Sequence, residues 1–183
     1  MLTVSTLPLE EQMEIQPDQW TRIVKHFGHA SHITASPRRS VPYCALATIN
    51  DDGSPRVTPI SSLVLGNDRT GFYFEQFSAA MSKNLDRDPR VGVLVVTNKN
   101  SFWKRAVFRG RMSGPPAVRL WGTVGPKREA TAQEIRAYRR PIRAFKFFRG
   151  YKRLWGVMRQ GREIRFHAFE PVNCGPMPQD EFI

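Results

Sequence analysis

With 183 residues, 40% of them hydrophobic and 24% charged, the chain has the composition of a globular protein and the length of one domain with a sizeable core, which excludes wholesale disorder and repeat architectures. The formal charge of +12 points to anionic partners: phosphates, carboxylates, nucleic acid or an acidic membrane face. No apolar run approaches the ~20 residues of a spanning helix, and two distant cysteines, Cys44 and Cys174, make neither a disulfide scaffold nor a zinc finger.

Residues 1–16 carry Glu10, Glu11 and Glu14 without Lys or Arg and read as an N-terminal arm. A single Met followed by this acidic stretch predicts no signal peptide and a cytoplasmic protein. Pro17 opens a helix, with Asp18 favourable at the positive end of its dipole. Trp20, Ile23, Val24 and Phe27 share one face of it, and Gly28 can end it. His26, His29 and His32 follow at a spacing of three. Gly28 interrupts the face that they would need to share, and no Cys or carboxylate cluster completes a site, so no metal is expected. Haem ligation by one of them stays open. Residues 31–42, with Pro37 and Pro42, read as loop.

From Tyr43 the period shortens to two. Tyr43–Asn50 is predicted as a strand, Asp51-Asp52-Gly53 as a hairpin turn and Arg56–Leu65 as the returning strand. Pro59 within it implies an edge or a bulge, where no ladder donor is required. Gly71–Phe77 is a third strand. Ser78–Asp88 reads as a short helix stopped before Pro89, and Val91–Thr97 as an apolar strand. Ser101–Gly114 is ambiguous. Val118–Val124 is another strand, Arg128–Arg140 a helix and Ile164–Val172 the last strand; the tail beyond Cys174 is loop. About six strands in short hairpins, with helices between them, favour an antiparallel barrel with helices packed outside. Residues 17–183 thus form one domain, with a basic helical insertion at about 136–160.

That insertion belongs to the most charged stretch of the chain. Residues 136–165 hold eleven Lys or Arg against one acidic residue, Glu163, interleaved with Tyr138, Phe145, Phe147, Phe148, Tyr151 and Trp155. Such a stripe is a solvated helix face with inward aromatics, a cover over a small anionic ligand, or a surface for an anionic polymer. No Ser-His-Asp order, acidic pair or phosphate-binding glycine loop accompanies it.

One constellation is sharper. Ala45-Leu46-Ala47-Thr48-Ile49-Asn50-Asp51-Asp52-Gly53-Ser54-Pro55-Arg56-Val57-Thr58-Pro59-Ile60 gives strand, tight turn and strand. Gly71-Phe72-Tyr73-Phe74, Ser82-Lys83-Asn84-Leu85, Asp88-Pro89-Arg90-Val91 and Val118–Val124 follow in order. Over roughly residues 40–172 this resembles the pyridoxamine 5′-phosphate oxidase-like family. The resemblance implies a mainly β fold with helices, a six-stranded antiparallel split β-barrel. It implies a homodimer with FMN in the cleft between subunits, its phosphate held by a positive residue and hydroxyls. The cofactor-binding candidates are Arg56, Val57, Thr58 and Ser61 on the strand after the turn, and Ser82 and Lys83 near the helix start. A phosphate needs charge and several donors, which these residues supply if strand and helix are neighbours. Two positions depart from the family: Met81 stands where a basic residue is usual, and Ser61 where the better-known oxidases carry lysine. The phosphate cage is therefore thinner, and a deazaflavin or haem, known in relatives, is the alternative cofactor.

Gly161-Arg162-Glu163-Ile164-Arg165-Phe166-His167 resembles the family's Arg-x-His substrate segment. On a strand Arg165 and His167 face the same side, and they are the candidate contacts for a small, anionic substrate. The expected function is an FMN-dependent oxidoreductase acting on an unidentified small substrate. A non-catalytic flavin-, deazaflavin- or haem-binding protein is the alternative within the fold, and an anionic-polymer binder using residues 136–165 the alternative outside it. Neither a membrane nor a nucleic acid is expected as partner.

Overall fold

Short alternating runs separated by turn residues dictate an antiparallel sheet, and such a sheet frames the structure, a computed structural model that describes residues 14–28, 39–41, 44–75, 78–97, 99–139, 147–154 and 159–182. The strands are β1 (Arg39–Val41), β2 (Cys44–Ile49), β3 (Pro55–Ile60), β4 (Leu63–Leu65), β5 (Thr70–Phe74), β6 (Arg90–Val96), β7 (Ala117–Val124), β8 (Arg128–Glu129) and β9 (Gln160–Val172). They lie in the order β1-β4-β5-β9-β7-β6-β2-β3, with β8 paired to β9, and every pairing is antiparallel. The helices among the described residues are α1 (Pro17–Phe27), α2 (Ala79–Arg87), α3 (Asn100–Arg109), α4 (Ala132–Arg139) and α5 (Arg149–Leu154). This is an antiparallel split barrel with flanking helices.

The strand number exceeds the expected six because β1, β4 and β8 are short additions. Arg56–Leu65 is not one strand. At Ser61-Ser62 the chain leaves β2 and crosses over to pair with β1 and β5. Ser62 fixes the crossing: its Oγ accepts from Phe74 N at 3.1 Å and donates to Phe74 O at 3.3 Å. Pro59 lies opposite Ala45 on β3, which has no second neighbour among the described residues. The edge that a strand proline requires is thus present. The ambiguous stretch becomes α3, ended by Gly110 in the left-handed region at φ 63°, a conformation open to glycine.

The core follows from the two-residue period. Leu46, Val93, Val95, Val118, Leu120, Ile164 and Phe166 face inward and form one cluster with Trp20, Ile23, Val24 and Phe27 of α1. The Trp20 ring lies 5.4 Å from that of Phe166, and its Nε1 donates to Gly66 O at 2.9 Å. Ile15 is fully buried in the same cluster, and its N–H donates to His167 O at 3.2 Å. The end of the arm is therefore seated on β9, while residues 1–13 lie outside the described residues. β5 is buried on both faces: Tyr73 points into the core, and Phe72 and Phe74 pack outward with Tyr138 of α4. β7 and β9 shift register between Trp121 and Gly122. A Cβ on Gly122 would sit 2.6 Å from the Arg165 carbonyl oxygen, so the close approach there requires glycine.

α4 starts later than Arg128. Arg128 and Glu129 pair with Gly161 and Gln160 as β8, and Thr131 opens the helix. Thr131 Oγ1 accepts from Glu134 N at 3.2 Å, while Glu134 Oε2 accepts from Thr131 N at 2.8 Å, the reciprocal arrangement of a capping box. Arg128 grips the same carboxylate with two nitrogens, at 3.0 and 2.8 Å, and lies 4.6 Å over the Phe72 ring. Burial alone would raise the Glu134 pKa. Hydrogen bonds from Arg128 and Thr131 outweigh it and bring the group down to about 2. A depressed folded-state pKa stabilises the fold above the ordinary carboxylate value near 4.5, and that stabilisation fades as pH falls toward 2. Glu134→Gln is expected to lower the unfolding midpoint at neutral pH and to differ little from wild type near pH 2. A difference that grows on acidification would contradict this assignment.

Candidate cofactor site

The tight turn between β2 and β3 brings the main candidates together. Asn50 Oδ1 accepts from Arg56 Nε at 2.9 Å and from Asn84 Nδ2 at 2.9 Å. Asn84 is buried on α2 and also donates to Thr48 Oγ1 at 3.1 Å. Asp51 accepts from Lys83 Nζ at 2.6 Å and from Arg87 Nη1, and Arg87 Nη2 donates to Ile49 O at 2.6 Å. The hairpin thus docks on α2, and Arg56 and Lys83 meet at one exposed corner. Arg56, Lys83 and Arg87 outnumber Asp51 and Asp52 there. The Asp52 carboxylate is already engaged, at 2.9 Å by Ser54 N and at 2.6 Å by Ser54 Oγ.

The other candidates do not all converge on this corner. Thr58 shares the inner face of β3 with Arg56 and is half-buried, whereas Val57 points to the outer face and is exposed. Ser82 is turned away, because the inward positions of α2 are Met81, Asn84 and Leu85; its Oγ accepts from Arg162 Nη2 at 3.2 Å. Ser61 lies at the far end of β3 in hydrogen-bond contact with Tyr138. Near it an open recess of ≈480 Å³ runs between β2, β3 and β6, lined by Ala45, Pro59, Ile60, Ser61, Leu94 and Val96. Arg165 and His167 are exposed on one face of β9, as their spacing requires. Arg165 stands across from Thr70 and Thr123. Three strands, β7, β6 and β2, separate this pair from Arg56 on β3.

The corner fits the anionic end of a phosphorylated cofactor: it holds excess positive charge and leaves the Arg56 guanidinium exposed at a strand edge. The apolar recess lies along the same strand but opens on its outer face, where Ala45, Pro59, Leu94 and Val96 alternate with the inward Arg56 and Thr58. Ser82 does not belong to that set.

Asn50, Asn84 and Arg87 belong to this corner and were passed over by sequence reasoning, as was a buried charge cluster beneath α2. Glu75 Oε2 accepts from Tyr73 Oη at 3.0 Å and from Arg162 Nε at 2.7 Å. Arg162 Nη2 also reaches Asp86 Oδ1 at 2.6 Å, and Lys127 Nζ stands 3.5 Å from Glu75 Oε1. The Glu75 and Arg162 side chains are 2% and 3% exposed. Burial alone would raise the Glu75 pKa. Hydrogen bonds from Ser82 and Arg162, the Arg162 charge and the Tyr73 hydroxyl reverse this, so the group stays ionised. Burial, then the neighbouring Glu75 charge, pushes Tyr73 up. His26 is set against Pro115 O at 3.0 Å and ringed by Phe27, Phe102 and Phe182. His29 and His32 lie outside the described residues. Among the described residues no group of three or more His, Cys, Asp or Glu could hold a metal, and no helix is long and apolar enough to cross a membrane.

The chain belongs to the pyridoxamine 5′-phosphate oxidase family, whose profile matches residues 32–149, well over half of its length. No curated protein matches it. Among solved structures it is similar to an FMN-binding protein from Syntrophomonas wolfei, with 15% identity, 73% of this chain and 78% of that chain covered, and a TM-score of 0.48. It is similar to HupZ of Group A Streptococcus at 17% identity, with 73% and 90% covered and a TM-score of 0.46. It is also similar to a haem-binding protein from Mycobacterium smegmatis at 15% identity, with 94% and 57% covered and a TM-score of 0.45.

Proposed function

We propose that the protein is an FMN-dependent oxidoreductase that works as a homodimer on a small anionic substrate. The observation that carries this reading is the convergence of Arg56 and α2 on Asn50 and Asp51 at the exposed edge of β3. Arg56 and Lys83 would hold the phosphate, with Thr58 beside Arg56 on the inner face of β3. The bound flavin supplies the hydride chemistry, and the chain supplies orientation and charge. The charge-rich cluster of Arg162, Glu75 and Asp86 fixes α2 and so sets the position of Lys83.

The three strands that separate Arg165 and His167 from the phosphate corner within one chain support the homodimer reading. The outer face of β6, β2 and β3 is suited to receive it. Leu94, Val96, Ile49 and Val57 are exposed there, around the small residues Ala45, Ala47 and Gly92 that pair in register. In this reading the two copies pair these faces about a two-fold axis, with the same patch contributed by each.

The visible spectrum of the purified full-length protein, after supplementation with FMN and gel filtration, tests the cofactor class. Flavin bands in the blue that bleach on reduction are expected. A sharper, stronger band at shorter wavelength would assign haem instead, and retention of no chromophore would remove the cofactor reading. Light scattering at micromolar concentration and moderate salt is expected to give about twice 21.0 kDa. A monomer that retains FMN tightly contradicts the shared site.

A further inference from the structure

α3 carries apolar side chains on two sides. Phe102 and Ala106, four residues apart on one helix face, are buried and pack with Met112 and Met177. Val107 and Phe108 point the other way and are 76% and 91% exposed. Trp103 is exposed beside them, its Nε1 donating to Thr97 O at 3.3 Å. Lys104, Arg105 and Arg109 are exposed on the same helix. No Asp or Glu occurs anywhere from Pro89 through Arg128. Scattered exposed apolar residues are ordinary; a Trp, a Val and a Phe on one short helix among three cations are not.

We infer that α3 is a docking surface for the anionic face of a lipid bilayer. Charge complementarity and an apolar tip coincide on this helix. A helix with aromatic and aliphatic side chains at its outermost positions, flanked by Lys and Arg, gains from both the acyl boundary and the headgroup charge. A second copy that meets it helix to helix gains much less, because this brings cations against cations and α3 itself carries no Asp or Glu. A nucleic acid satisfies the cations and leaves Val107 and Phe108 without a partner. The helix is held rigidly for such a role: its inner face is anchored by Phe102 and Ala106, and beyond its end Arg111 pairs with Asp180 of the tail. Peripheral docking needs no spanning segment, so the absence of long apolar runs, which led to the expectation of no membrane partner, does not bear on it. The inference does not rest on the cofactor reading.

The test is sedimentation of the full chain with vesicles of phosphatidylcholine alone and of phosphatidylcholine with phosphatidylglycerol in equal parts, at moderate salt. Wild type is expected to sediment with the anionic vesicles and weakly with the neutral ones. The double variant Val107→Ser, Phe108→Ser is expected to lose about tenfold in partitioning, with its unfolding midpoint and its mass by light scattering unchanged. Lys104→Gln, Arg105→Gln and Arg109→Gln together are expected to remove most of the preference for anionic vesicles. Wild type that stays in the supernatant with both vesicles overturns the inference. So does a serine double variant that sediments like wild type, since the cations of residues 136–165 then carry the binding. A change in the mass of that variant shows a self-interface, and an equal loss of its affinity for duplex DNA shows a nucleic-acid surface; either result also overturns it.

Discussion

Arg162→Ala is expected to destabilise the protein by about 3–5 kcal/mol, the cost of removing one partner of a buried ion pair and leaving the other charge in place. Glu75 is the charge left behind. Its Oε2 would keep Tyr73 and lose the 2.7 Å bond from Arg162 Nε, and Asp86 and Ser82 on α2 would lose their common donor. At this chain length such a loss lowers the unfolding midpoint by roughly 10 °C or more. Arg162→Met with Glu75→Gln separates the charge effect from the packing effect, because replacing both partners removes the orphaned carboxylate; it is expected to recover a large part of the loss. Chemical denaturation measures both. A cost below about 1 kcal/mol for Arg162→Ala would mean that water reaches the cluster.

Trp20→Ala has an effect of the same order for a different reason. Trp20 is 1% exposed, stacks near Phe166 and donates to the Gly66 carbonyl. Truncation leaves a cavity between α1 and the barrel and an unsatisfied carbonyl, and large-to-small changes of this kind cost about 3–5 kcal/mol. Trp20→Phe fills most of the space but abolishes the hydrogen bond, and its cost is expected to be smaller by at least half. Equal losses in the two variants would place the energy in the hydrogen bond rather than in packing.

The parts of the fold governed by local periodicity were legible in the sequence. Trp20, Ile23, Val24 and Phe27 mark the buried face of α1, Pro59 marks an edge, and the spacing of Arg165 and His167 puts them on one face of β9. What failed depends on contacts far apart in the chain. Ser61-Ser62 looks like ordinary alternation along a strand, and its break becomes visible only when Ser62 meets Phe74. The start of α4 was written locally, in Thr131-x-x-Glu134, but the strand character of Arg128–Glu129 comes from pairing with β9. Glu75 and Arg162 stand 87 residues apart, and neither residue's neighbours announce an ion pair. The candidate site was half legible for the same reason. Arg56 and Lys83 meet through Asn50 and Asp51, residues that the sequence marks only as a strand end and a turn. Ser82 belongs to the other side of α2, which a helix-face count from Met81 and Leu85 would have revealed.

The central claim is that the hairpin corner, and not the basic segment, holds the cofactor phosphate. Fluorescence titration of FMN into the full-length protein measures it, with wild type compared with Arg56→Ala, Lys83→Ala and the pair Arg149→Gln, Lys152→Gln. A phosphate at the corner loses a charge-assisted hydrogen bond in Arg56→Ala, and affinity is expected to fall by about 1.5–3 kcal/mol, roughly ten- to a hundredfold. Lys83→Ala should show a smaller loss, since Arg87 still faces Asp51. Neutralising Arg149 and Lys152 should change little, because charges that do not touch the phosphate are screened over about 10 Å at ordinary salt. The reverse ranking, with Arg56→Ala binding FMN like wild type and the basic-segment variant failing, would contradict the account.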